Sequence, residues 1–65
     1  MKIYKEIPQR DMMWITGVEN MVSKDRQGVY ASYKLNKKND IYELKNEDKL
    51  TPSIIEKINK FYEAQ

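Results

Sequence analysis

Asp11-Met12-Met13-Trp14-Ile15-Thr16-Gly17-Val18-Glu19-Asn20-Met21-Val22 is the stretch on which the fold turns. Read as a strand, Trp14, Ile15, Thr16 and Val18 supply the aromatic and β-branched side chains that pack on a pleated surface. Gly17 also does less harm there than in a helix interior. Read as a helix, Met12, Ile15, Val18 and Val22 share one face and Asp11 can cap it. The strand is the preferred reading and the helix its alternative.

Working outward, Ser23-Lys24-Asp25-Arg26-Gln27-Gly28 reads as a loop leading into Val29-Tyr30-Ala31-Ser32-Tyr33-Lys34-Leu35. That run alternates, with Val29, Ala31, Tyr33 and Leu35 inward and Tyr30, Ser32 and Lys34 outward. The polar cluster Asn36-Lys37-Lys38-Asn39-Asp40 reads as a turn, and Ile41 to Lys45 returns as a second strand. Before the deciding stretch, Lys2-Ile3-Tyr4-Lys5-Glu6-Ile7 predicts a further strand ended by Pro8.

The C-terminal segment is written most clearly. Ile54, Ile55, Ile58, Phe61 and Tyr62 fall at helical spacing, and Glu56, Lys57, Lys60 and Glu63 fill the opposite side. Thr51 is placed to cap, Pro52 suits the first helical position, and Leu50 can staple onto Ile55. These elements predict an α+β domain over residues 1–65. Its plan is a small antiparallel sheet of three to four strands packed against a C-terminal amphipathic helix. If residues 11–22 are helical, the order becomes β-α-β-β-α.

Composition narrows the chemistry. The 65 residues include no cysteine and no histidine, so disulfides and the usual soft metal ligands are missing. The core must be built from apolar side chains alone, which leaves a small domain a thin margin. No run is long enough for a membrane span, and no leader pattern stands at the N-terminus. A cytoplasmic setting is expected. Twelve basic residues against ten acidic leave +2, too weak to announce a nucleic-acid binder. Abundant Lys, Asn and Ile fit AT-rich codons, as in a low-GC bacterium or its phages.

The catalytic reading is poor. With only carboxylates, Lys, Tyr, Ser and Thr available, the one suggestive string is Glu43-Leu44-Lys45 with Asp40 and Asp25 upstream. It resembles a metal-nuclease strand no more than it resembles an ordinary charged strand face. The two glycines, Gly17 and Gly28, make no phosphate loop. No enzyme activity, cofactor or metal is expected.

Aromatic content is the stronger signal, with five tyrosines, one tryptophan and one phenylalanine. Tyr33, Phe61 and Tyr62 suit the space between sheet and helix. Trp14 and Met13, together with Tyr30, Lys34 and Tyr42, are the candidate partner-binding residues. One helix cannot cover both faces of a sheet that carries them. The expectation is a non-enzymatic protein–protein interaction module, of the kind small phage and mobile-element proteins use to bind and modulate a host protein. A homodimer through the open sheet face or a sheet edge fits the thin core. The alternative is a small nucleic-acid-binding domain that uses Tyr30, Lys34, Lys37 and Lys38 on a sheet face.

Overall fold

The computed structural model describes residues 1–18 and 21–65, leaving aside the side chain of Val18. The chain runs through β1 (Glu6–Pro8), α1 (Gln9–Val18), α2 (Ser23–Ser32), β2 (Tyr33–Asn36), β3 (Ile41–Leu44), a single 3₁₀ turn (Glu47–Lys49) and α3 (Pro52–Glu63). Among the described residues there is one antiparallel sheet, ordered β1-β3-β2. The architecture is α+β with a closing C-terminal helix, as expected, but the middle of the chain differs from the sequence reading.

The deciding stretch is helical from its start to Val18; positions 19 and 20 lie outside the described residues. The physical reason is spacing. Met12 and Ile15 are both fully buried, and residues three apart share a face on a helix but oppose one another on a strand. Thr16, also buried, donates its hydroxyl to the Met12 carbonyl at 2.9 Å, which satisfies it inside the helix. Met13 and Trp14 are left outward.

The expected loop at 23–28 and the first half of the expected strand at 29–35 are together α2. Its buried residues, Asp25, Val29 and Ser32, lie at helical spacing, but only Val29 is apolar. Alternation from Val29 to Leu35 is real in the letters and does not govern the backbone. Ser32, expected outward, is fully buried and donates to the Gly28 carbonyl at 2.7 Å. Gly28 sits where α2 comes close to α3, with Ile54 directly above it. Asp25 accepts from Lys57 at 2.8 Å, a second tie between these helices.

The hairpin survives in shortened form. β2 and β3 pair Tyr33 with Leu44, Lys34 with Glu43, Leu35 with Tyr42 and Asn36 with Ile41. Asp40 closes the turn at a φ of 55°, a left-handed position that Asp tolerates better than most residues. β1 is only three residues long and includes Pro8, which the sequence reading placed after the strand. Ile7 pairs with Tyr42, while Leu44 N–H donates to the Lys5 carbonyl and Gln9 N–H to the Asp40 carbonyl. These odd-numbered positions turn their backbone toward β3, so the missing N–H of Pro8 falls on the outer edge and breaks no ladder bond.

Beyond the Lys5–Leu44 bond, the chain upstream of β1 is also held by a side chain of α3. Asn59 accepts from the Lys2 N–H at 3.1 Å and donates to the Lys2 carbonyl at 2.7 Å. Tyr4 stacks on Tyr62 with ring centroids 4.5 Å apart. α3 begins as its sequence promised, with Thr51 accepting from the Ile54 N–H and Pro52 in the first turn. Such a cap contributes about 1 kcal/mol.

By register, Ile7, Tyr33, Leu35, Tyr42 and Leu44 face one way, and that face carries the core. Ile7, Met12, Ile15, Met21, Val29, Tyr33, Ile54 and Ile58 form one buried cluster, to which every helix contributes. The opposite face of the sheet carries Glu6, Pro8, Lys34, Asn36, Ile41 and Glu43 and is charged rather than aromatic.

Burial inside this core pushes the Tyr33 phenol up to about 12, with the charge of Glu47 adding to the effect. Burial also raises Tyr62, helped by its hydrogen bond to Asp11 at 2.8 Å. Raised phenols mean that the neutral form is favoured in the fold. Their stabilising contribution is complete below pH 10, the ordinary phenol value, and is lost as pH rises toward 12. Urea midpoints are therefore expected to hold from neutral pH to about 9 and to fall steeply above 10. Tyrosines that all ionise near 10 without loss of stability would contradict this packing.

Candidate functional site

Among the described residues, the large hydrophobic side chains left exposed inside secondary structure are Met13 at 67%, Trp14 at 55% and Tyr30 at 49%. They belong to two places. The first is the outward side of α1. Met12 and Ile15 are spent on the core, which turns Met13 and Trp14 to solvent on neighbouring helical positions. Trp14 and Arg10, one turn earlier, line a depression shared with Phe61 and Gln65 of the α3 end. Asp11, on the same rim, accepts from the Tyr62 hydroxyl, and Tyr62 packs edge-on against Phe61 at 5.2 Å. The indole thus stands beside a half-buried aromatic wall with a guanidinium at the rim.

The second place is the lower flank of α2. Tyr30 leans against Tyr42 with centroids 5.9 Å apart and rings tilted by 57°. Burial, with the nearby Tyr30 phenol adding, raises the Tyr42 phenol above its ordinary value. The contact places Tyr30 on the helix-bearing side of the sheet, on a helix rather than on the strand where it was expected. Lys34 pairs in register with Glu43 and points to the other face. The Asn36 amide, followed by Lys45, holds the Glu43 carboxyl below the usual range. Lys37 and Lys38 lie in the exposed turn.

The expected partner-binding residues Trp14, Met13, Tyr30, Lys34 and Tyr42 are therefore not brought together on one surface. Trp14 and Met13 stay together, and Tyr30 and Tyr42 stay together, but Lys34 joins neither pair. Nor do Tyr30, Lys34, Lys37 and Lys38 make one stacking-and-phosphate face, because the sheet separates Tyr30 from Lys34. Glu43 and Lys45 form an ion pair at 3.2 Å on the open face, whereas Asp25 is tied to Lys57 beneath α3. Among the described residues no three acidic side chains converge as a metal site, and no helix is long and apolar enough to cross a membrane.

Arg10 and Phe61 were missed as members of the Trp14 surface. A helical reading of α1 would have placed Arg10 four residues before Trp14, whereas Phe61 was assigned wholly to the core. No family model, curated protein or solved structure matches this chain.

Proposed function

We propose that the domain is a non-enzymatic protein–protein interaction module that engages its partner through Trp14 and Met13 on α1. The observation that carries this reading is the exposed indole beside Met13, with Phe61 and Arg10 in the same depression. Single exposed apolar residues are ordinary. A tryptophan and a phenylalanine gathered with an arginine, and an exposed methionine at the adjacent helical position, match the composition of binding hot spots, where Trp and Arg anchors dominate and Met adapts to shape. The partner we infer is a cytoplasmic host protein, with the domain acting as a phage or mobile-element accessory. The Lys-, Asn- and Ile-rich composition supports that setting.

Trp14→Ala is expected to melt within a few degrees of the native chain, because the indole is more than half exposed. It is also expected to lose at least about 30-fold in affinity for a protein captured by the native domain from its host. Capture by both chains alike, or a Trp14→Ala chain that fails to fold, would overturn the assignment.

A further inference from the structure

The two edges of the sheet are not alike. β1 offers an outer edge of three residues, one of them Pro8, which has no N–H, and another the charged Glu6. Such an edge resists pairing. β2 is different. Lys45 N–H donates to the Ser32 carbonyl, which fixes Ser32–Lys45 as a hydrogen-bonded pair of the ladder. In an antiparallel ladder these pairs alternate, so Lys34 and Asn36 turn their backbone toward β3. Leu35 turns both its N–H and its C=O outward, as Tyr33 does its C=O; the Tyr33 N–H is taken by the Val29 carbonyl. Among the described residues nothing meets these outward groups. The adjoining surface is apolar: Leu35 is half-buried, Ala31 and Tyr30 are exposed, and Tyr30 rests on Tyr42.

We propose that a second copy of this chain pairs along the outer edge of β2, antiparallel, about a two-fold axis beside Leu35. A residue with both backbone groups outward is self-complementary under such an axis. Leu35 N–H of each copy meets Leu35 C=O of the other, and the two bonds close a ring. The neighbouring pair then sets Lys34 across from Asn36 of the other copy, so no like charges face each other, and Lys34 keeps Glu43 on its other side. On the helix-bearing side the two Leu35 side chains meet and bring Tyr30 and Ala31 of each copy to the seam. The three-stranded sheets become one sheet of six. This surface is separate from Trp14, so the two assignments stand or fall independently.

The test is sedimentation of the chain over about 10 μM to 1 mM, the range where an interface at the small end of the specific class dissociates. The 65-residue chain is short enough to synthesise with an N-methyl group on Leu35. That change removes one outward N–H and no bond of the native ladder. The native chain is expected to dimerise, the N-methylated chain to remain a monomer with unchanged circular dichroism, and Trp14→Ala to dimerise normally. A Lys34→Cys chain mixed with an Asn36→Cys chain is expected to form the mixed disulfide faster than either alone, since the native chain has no cysteine to interfere. A native chain monomeric throughout would overturn the proposal. So would an N-methylated chain that dimerises equally well, a dimer lost in folded Trp14→Ala, or no preference for the mixed disulfide.

Discussion

Ile58→Ala is expected to cost about 3 kcal/mol and to leave a large part of the chain unfolded under conditions where the native domain is folded. Ile58 is 2% exposed and belongs to the cluster that joins α3 to β1, α1, α2 and β2. Truncation forfeits the transfer free energy of the lost carbons and leaves a cavity that only partial collapse can fill. A domain of this length has a total margin on the order of 3 to 10 kcal/mol. No disulfide offsets the loss. Ile55→Ala, three residues earlier on the same helix and only half-buried, should cost clearly less. Urea denaturation of the two variants checks the ordering, and equal midpoints would show that α3 does not present Ile58 to the core.

Gly28→Val is expected to destabilise by about 2 kcal/mol or more, whereas Gly28→Ala should be close to neutral. A Cβ at position 28 would stand 2.7 Å from Ile54 Cδ1 and 3.4 Å from the Lys49 carbonyl oxygen. Ile54 Cδ1 is the end of a side chain and can rotate away. Alanine also recovers up to about 1 kcal/mol of helix propensity, so the two effects nearly cancel. Valine adds two methyl groups in a space bounded by α3 and the backbone before it, and its branched Cβ restricts the rotamers that could relieve the clash. Thermal melts of both variants decide the matter. A valine chain as stable as the native one would mean that α2 and α3 are not in close contact.

The helix from Pro52 to Glu63 was legible because every local signal agreed: cap, proline, apolar spacing and charge placement all sit in adjacent letters. The hairpin from Tyr33 to Leu44 was legible from its turn and its alternating flanks. What failed was α2. Its inward residues are Asp25, Val29 and Ser32, so no apolar stripe exists to be read. The carboxylate and the hydroxyl are buried because Lys57 and the Gly28 carbonyl satisfy them, and those partners are a matter of three-dimensional packing. Residues 11–18 failed for a related reason. Trp14 counted toward a strand by its type, yet it takes no part in the core that makes the segment helical. The two misread segments also carry most of the candidate residues, and with them corrected Trp14 and Met13 stand on α1, Tyr30 of α2 leans on Tyr42, and Lys34 points to the opposite face of the sheet. Asn59, which grips the Lys2 backbone, gave no sequence signal at all.

We propose that Trp14 is held out for a partner. It is the chain's one tryptophan, so its fluorescence reports on that side chain alone. The decisive measurement is quenching by a soluble quencher, made on the free domain and on the domain bound to the protein it captures. Ready quenching is expected in the free domain, and strong protection with a blue-shifted emission in the complex. An indole already shielded in the free domain, or one quenched as readily in the complex, would contradict it.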